Sequence, residues 1–380
     1  MIKSLFWFSL AVIGYVYFGY PVLIYILSFF YRKPVKRHYP YPTVSVLISV
    51  YNEEKNIENK IKSLLELDYP EKRIEILIGS DGSTDRTDEI ARQFTDERIR
   101  VYRQPQRKGK PSMLNMLEKE AVGEIVVFTD ARQTLDRNAV NELVKNFADP
   151  KVGSVSAELH FDDERNKSGN GIGFYWKYEK FIRNYESKMG SMLGATGALY
   201  AIKRELFCEL PANLILDDVY IPLKIIQRGY RAIFEPKAKI YDRVAQDAKE
   251  EFIRKARSHA GNFQLFLYFP EIFNPFRGKI SWQFFSHKFL RLVAPFLLMG
   301  LFISNAFILD AYLYRFTFVL QIMFYIFAVV GSIYRGANRL FDIPHMFCVM
   351  NLAAVVGLYR FLTCKQDVLW QKGKGAVSYV

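Results

Sequence analysis

Residues 43–54 read TVSVLISVYNEE: an apolar, β-branched run of strand length, followed at once by Tyr51-Asn52-Glu53-Glu54. From Glu54 to Leu67 apolar residues recur at helical spacing. The alternation then repeats. Ile74–Ile78 reads as a second strand, followed by Asp81-Gly82-Ser83-Thr84-Asp85 and a helix starting near Asp85. Ile99–Tyr102 reads as a third strand, Ser112–Ala121 as a helix, and Ile125–Thr129 as a fourth strand that runs into Asp130. Strands and helices alternating across short loops predict an α/β domain over residues 40–265, with a parallel sheet covered on both faces. Such sheets bind ligands beyond the carboxyl ends of their strands. The loops after Val50, Gly79 and Thr129 are therefore expected to share one cleft.

Outside this domain the chain is made of different material. No charged side chain occurs from Leu5 to Tyr31, a stretch long enough to cross a hydrocarbon core of roughly 30 Å. A signal peptide is disfavoured, because the stretch is too long and no small-residue cleavage site follows. Lys3 precedes it, whereas Arg32, Lys33, Lys36 and Arg37 follow it. The positive-inside rule then predicts an integral protein of the plasma membrane with its N-terminus outside and the α/β domain cytoplasmic. The expected divisions are an N-terminal transmembrane helix at 1–31, the α/β domain, an interfacial amphipathic segment at 266–288, a C-terminal transmembrane region at 289–364 and a tail at 365–380. Apolar density places the later spans at about 290–313, 316–334 and 345–363. Arg335 and Arg339 suit a cytoplasmic turn, yet a strict count leaves Lys365, Lys372 and Lys374 outside, against the rule.

Composition narrows the classes of function. The 380 residues carry 52 basic and 39 acidic side chains, a net +13, but half are hydrophobic and 16% aromatic. That excludes a disordered basic chain. The cations cluster beside membrane segments and cleft loops, so no nucleic-acid partner is expected. Three dispersed cysteines, Cys208, Cys348 and Cys364, give neither a disulfide framework nor a zinc ribbon.

The polar loops each admit two readings. Asn52 and the acids beside it suit a helix cap as well as a ligand site, and so does the Asp81–Asp85 segment. Arg107-Lys108-Gly109-Lys110 puts cations at a helix N-terminus, where phosphate oxygens are well received, or forms a basic surface loop. Asp130, at the end of an apolar strand, is placed to hold a metal or a ribose. Asp217-Asp218 opens another helical run, as a helix-dipole partner or as a base. The aromatic stretch from Tyr175 to Tyr185 reads as a helix packed toward the membrane or as a sugar platform. His160, His259, His287 and His345 show no metal-ligand spacing.

In order, the motifs YNEE (51–54), DGSTD (81–85), Gly109-Lys110, FTDA (128–131), GATGA (194–198), LDD (216–218) and Arg254…Arg257 resemble those of family 2 glycosyltransferases. The closer likeness is to the membrane-integrated branch that includes cellulose, chitin, hyaluronan and poly-N-acetylglucosamine synthases. The resemblance implies a Rossmann-like GT-A nucleotide-sugar domain flanked by transmembrane helices. It places Tyr51, Glu53, Asp81, Lys110, Asp130 and Arg132 on the donor, with Glu53 and Asp81 at ribose and base and Lys110 at the diphosphate. It implies Mg²⁺ or Mn²⁺ on Asp130, Asp218 as the general base of an inverting reaction, and Arg257 as a further catalytic residue.

Two positions depart from that pattern. Arg132 stands where a second acid is usual, and an Arg neutralises diphosphate but ligates no cation. Ser258 stands where a tryptophan usually meets the acceptor. A serine offers little of the flat stacking surface that suits a sliding polymer. The expected activity is thus a non-processive transfer from a UDP-sugar to a lipid-linked or polysaccharide acceptor, with membrane lipids around the helices. A processive synthase that exports its polymer is the alternative, and a transporter accessory that only binds nucleotide is a more distant one.

Overall fold

β1 (Val44–Val50) has one side chain row, Val44, Val46, Ile48 and Val50, packed with Ile57, Ile61 and Leu64 of α3 (Ile57–Leu65). Leu47 points the other way, into Met113, Leu114 and Leu117 of α5 (Lys110–Glu120). Burial on both faces explains why Leu47 is apolar as well as the opposite row, with only the small Ser45 and Ser49 beside it. The computed structural model describes residues 1–38, 41–161, 169–242, 248–334, 338–367 and 369. Arg335, Lys372 and Lys374, which bear on the expected topology, lie outside the described residues.

The other strands are β2 (Ile74–Asp81), β3 (Ile99–Gln104), β4 (Ile125–Thr129), β5 (Thr134–Leu135), β6 (Val152–Phe161), β7 (Leu199–Lys203) and β8 (Arg231–Asp242). They form one eight-stranded sheet in the order β3-β2-β1-β4-β7-β6-β8-β5. β3, β2, β1 and β4 are parallel, as the sequence leads one to expect. The full sheet is mixed, which corrects the expectation of a wholly parallel one. β7 runs antiparallel to both β4 and β6, and β5 antiparallel to β8. The cause lies in α7 (Gly169–Met189), which returns the chain to the sheet end that β6 left, so β7 must run back. The short α4 (Thr87–Arg92) and α6 (Ala139–Val144), with α8 (Asp217–Gln227) and α9 (Ala248–Tyr268), complete the layers.

Among the described residues four stretches are long and apolar enough to cross a membrane: Ile2–Phe30, Lys279–Ala306, Tyr312–Ile333 and Arg339–Leu362. The first comprises α1 (Ile2–Gly14) and α2 (Tyr20–Phe30), joined through a wider turn at Tyr15–Gly19. The second comprises α10 (Lys279–Phe284) and α11 (Leu290–Ala306), with a similar turn at Phe285–Phe289. The third is α12 (Tyr312–Ile333) and the fourth α13 (Arg339–Leu362). Residues 279–288, expected as part of a separate interfacial segment, instead continue into α11. Only 270–277 stands apart, as two short 3₁₀ turns.

The first two stretches pair antiparallel. Lys3 bonds Asp310 at 2.7 Å, Tyr15 Oη meets Ser286 Oγ at 2.8 Å, and the Tyr20 and Trp282 rings lie 5.3 Å apart. α7 docks on this pair: Tyr178 donates to the Tyr17 carbonyl, and Tyr185 packs edge-on against Tyr25. Phe181, Tyr178 and Tyr185 are thus engaged with the first helical stretch, whereas Trp176 packs on Phe161 and Met346.

Candidate active site

The cleft loops meet at the carboxyl ends of β1, β2 and β4. Asn52 takes a left-handed backbone, φ 54°, and caps no helix; α3 starts at Ile57 after Asn56. Its amide ties the β1 loop to the β2 loop instead: Asn52 N donates to Ser83 Oγ, and Oδ1 accepts from Thr84 N at 2.8 Å. Asp85 does cap, accepting from Thr87 N at 3.0 Å at the start of α4. Glu53 accepts from Asn56 Nδ2 at 2.6 Å, and its backbone N donates to Thr87 Oγ1.

Asp81 is 3% exposed and accepts from the backbone N of Lys108 and of Gly109, at 2.7 and 2.8 Å. Both carboxylate oxygens therefore hold the 107–109 loop. Gly82, at φ 69°, allows the approach: a Cβ there would sit 2.8 Å from Arg107 N. The loop in turn lays the Arg107 guanidinium over the Tyr51 ring, 3.6 Å from its centroid, a cation–π contact. Gly109, at φ 94°, turns the chain into α5. Lys110, first in that helix, reaches Asp130 Oδ1 at 3.0 Å and Asp217 Oδ2 at 3.4 Å. Burial alone would lower its pKa; the carboxylates of Asp130 and Asp217 outweigh that and hold the ammonium above its ordinary value.

Asp217 also accepts from Tyr200 Oη, 3.3 Å away. Asp218, next to it at the start of α8, is pushed up to about 6 by burial and by the Asp217 charge. The GATGA segment forms its wall. Ala195 N donates to the Asp218 carbonyl at 2.7 Å, and a Cβ on Gly197 would meet Asp218 Oδ2 at 3.0 Å, so glycine admits the carboxylate. Arg257, on α9, lies within electrostatic range of Asp217 and Asp218, and burial lowers its pKa. Of the eight expected residues, Lys110, Asp130, Asp218 and Arg257 are thus linked by ion pairs and electrostatic contacts, directly or through Asp217. Tyr51 adjoins them through the 107–109 loop, Asp81 anchors that loop, and Glu53 is held on Asn56.

Arg132 points elsewhere. Its Nε and Nη2 bond both oxygens of Asp242, at 3.0 and 2.7 Å, and Asp242 is 3% exposed at the end of β8. Gln133 Nε2 donates to the same carboxylate at 3.0 Å. In this arrangement the guanidinium neutralises a buried acid of the protein and fixes the strand end under Asp130.

Sequence reasoning missed Lys60. Only 1% exposed, it donates to Thr129 Oγ1 at 2.7 Å and to the Gln133 carbonyl at 3.0 Å, beneath the Asp130 loop. Burial lowers its pKa to about 7. The signal was available: Lys60 occupies the same helical stripe as Ile57, Ile61 and Leu64, where an apolar residue is the rule.

With this geometry in view, comparison with known proteins is informative. Residues 45–210 match the family model Glycosyl transferase family 2. The chain is 27% identical over 281 residues to "Probable glycosyltransferase YdaM" of Bacillus subtilis (strain 168), covering 70% of this chain and 65% of that protein. It is 26% identical over 234 residues to the poly-beta-1,6-N-acetyl-D-glucosamine synthase of Staphylococcus aureus (strain COL), covering 59% and 55%. It therefore spans less than two thirds of either relative. Among solved structures, the mannosyltransferase PcManGT from Pyrobaculum calidifontis, in complex with GDP-Man and Mn²⁺, superposes with a TM-score of 0.74. That match has 24% identity and covers 96% of this chain and all of that one. The fold is GT-A.

Proposed function

We propose that the protein transfers a sugar, with inversion, from a nucleotide sugar to a lipid-linked or glycan acceptor at the cytoplasmic face of the plasma membrane. One observation carries the reading: Lys110 is held between Asp130 and Asp217, with Asp218 beside them in the same cleft. Glycosyl transfer must neutralise a departing diphosphate and take a proton from an acceptor hydroxyl. Lys110 and Arg257 supply positive charge for the first task. Asp218 supplies a carboxylate for the second, and burial tunes it toward neutrality, as a base requires.

A divalent cation fits these residues in a limited way. Among the described residues no three His, Cys, Asp or Glu side chains converge on a point. Asp130 presents a partly exposed carboxylate to the cleft, and the Lys110 ammonium 3.0 Å from it supports a cation at this position. Magnesium is commonly held by one or two carboxylates together with substrate phosphates. Asp130 would hold such an ion jointly with the diphosphate, and the ion would supply Lewis-acid stabilisation of the leaving group.

The donor we assign is a UDP-sugar. Titrating the purified protein with UDP-sugars and with GDP-mannose, and measuring the nucleotide released, tests both the class of activity and the base. Release from none of them would sink the transfer reading. Ser258 supports short products: its Oγ bonds the Arg254 carbonyl at 3.0 Å, inside its own helix. The nearby Tyr175 and Trp176 rings are covered by the Lys255 ammonium, 4.3 and 4.9 Å from their centroids.

The packing of the last helix supports a reading that removes the charge conflict at the C-terminus. α13 packs on the catalytic domain along its length: Met346 beside Trp176, Gly357 against His259 and Ala260 of α9, Phe361 stacked on Phe263. Asp367, just past its end, still acts on Arg257 in the cleft. A crossing helix would carry that end to the far side of the bilayer. We therefore assign three crossings, with α13 lying against the domain, which leaves Lys365 cytoplasmic and in keeping with the positive-inside rule.

A further inference from the structure

His287 lies outside the cleft, yet both of its ring nitrogens are engaged. Nδ1 is 2.8 Å from Glu186 Oε1, and Nε2 is 3.3 Å from Glu179 Oε2. All three side chains are buried. A neutral imidazole donates through one nitrogen and presents a lone pair at the other. Between two carboxylates such a ring would set that lone pair against an oxygen in a desolvated place. The imidazolium donates to both acids. The neighbouring contacts leave this need in place. Tyr20 Oη donates to Glu186 and Arg291 Nη1 to Glu179, so each acid is already an acceptor. Burial alone would raise the Glu179 pKa; the Arg291 and His287 charges outweigh it and hold the carboxyl well below its ordinary value. Lys288 acts on both acids but hydrogen-bonds neither among the described residues.

The backbone is shaped to place this ring. His287 stands on the wider turn Phe285–Phe289, which meets the one at Tyr15–Gly19 through Ser286 and Tyr15. Turns of this width are rare within helices and recur at functional places. On the other side, Glu179, Arg183 and Glu186 follow helical spacing, so one face of α7 carries all three. Arg183, between the two acids, reaches the cleft wall: its Nη1 donates to Thr196 Oγ1 at 2.7 Å. Thr196 belongs to the GATGA segment, where Ala195 N donates to the Asp218 carbonyl and Gly197 borders the Asp218 carboxylate. Contacts made through one rigid helix therefore connect the paired membrane stretches to the surroundings of Asp218.

We propose that His287, as an imidazolium clamped between Glu179 and Glu186, is a positioning residue for sugar transfer. It fixes α7 on the two membrane stretches and so sets the wall that lines Asp218. This rests on the transfer reading and adds to it a residue remote from the reacting atoms. His287 exchanges no proton with the substrates; its charge holds the helix.

The test uses the full chain in nanodiscs. With isotopically labelled histidine, nitrogen NMR at neutral pH should show both ring nitrogens protonated for the signal that vanishes in His287→Gln. Kinetics read the consequence. A glutamine in that place donates to one acid and turns its carbonyl oxygen on the other. His287→Gln should thus lower kcat about tenfold or more, within the range that a displaced cleft costs, with UDP binding and donor KM as in wild type. Adding Glu186→Gln gives that carbonyl oxygen a donor, so the double variant should recover kcat severalfold. A loss of packing alone would deepen with the second substitution. Glu186→Gln by itself, close to wild type in shape, should shift the His287 signal and lower kcat, and it covers the case in which His287→Gln does not fold. A neutral ring in the spectrum would overturn the proposal. So would wild-type kcat in both single variants, or a double variant slower than either. A wild type that releases no nucleotide from any donor counts against the transfer reading, and the spectrum reads His287 independently of it.

Discussion

Lys110 Nζ lies 3.0 Å from Asp130 Oδ1, joining the first residue of α5 to the end of β4. The pair links the loop that Asp81 holds to the strand end that Lys60 and Arg132 hold. Replacing Lys110 by Met keeps the length of the side chain and removes its charge. Donor affinity should fall about tenfold or more, the scale of a charge-assisted contact to phosphate. Isothermal titration with the nucleoside diphosphate reads this directly, and unchanged affinity would take Lys110 off the diphosphate.

Asp218→Asn should leave donor binding intact and lower turnover by about 10² or more, the usual scale of general-base assistance. The pH profile supplies a second reading. Asp218 works ionised and its pKa is held near 6, so wild-type kcat/KM should fall as pH drops through that value. Lys110 favours the ionised form, so Lys110→Met should move this acidic limb to higher pH. A limb that stays in place would show that another group sets it.

Chelation tests the cation. Transfer should be lost in EDTA and return with added Mn²⁺ or Mg²⁺, and Asp130→Ala should weaken donor binding. Full activity in EDTA would leave the neutralisation to Lys110 and Arg257.

Lys60→Met removes the donor to Thr129 Oγ1 and the Gln133 carbonyl without opening a cavity. Leaving those acceptors unmet should destabilise the domain by about 1–3 kcal/mol. Because the loop below Asp130 loosens, the affinity for Mn²⁺ with donor should fall too. Thermal melting and a metal titration read the two effects, and a variant matching wild type in both would remove Lys60 from the support of the cleft.

Cys364 reports the topology. It is exposed, whereas Cys208 and Cys348 are partly buried. In intact cells a membrane-impermeant maleimide should leave Cys364 unlabelled and label it after lysis, while Asp310→Cys should react from outside. Labelling of Cys364 in intact cells would mean that α13 crosses.

β1, β2 and β4 were legible because strands buried on both faces are rich in apolar, β-branched residues, and each stops at a polar motif. Their loops converge for the general reason that parallel strands end on one side. The β6–β8 half was harder to read. Its pairing depends on where α7 returns the chain, which no local pattern encodes. Arg132 illustrates the same limit at the site: its partner Asp242 is 110 residues away in sequence, so the residue read as a free cation at the cleft. Lys60 was hidden by its chemistry, since a lysine in an amphipathic helix is ordinarily solvated.

The antiparallel pairing of α1–α2 with α10–α11 has a consequence for how the protein is made. Buried Glu186 accepts from Tyr20 Oη at 2.5 Å and contacts His287 Nδ1 at 2.8 Å. Tyr20 is synthesised first, Glu186 much later and His287 later still. At about 5–20 residues per second, the first helix waits on the order of ten seconds or more for its mate. Through that interval the catalytic domain can fold, but its seat on the helices is incomplete and the Glu186 carboxylate lacks one partner. A ribosome stalled before residue 279 should therefore display a domain that binds nucleotide yet is poorly docked, and translation speed across the last hundred residues becomes a determinant of assembly.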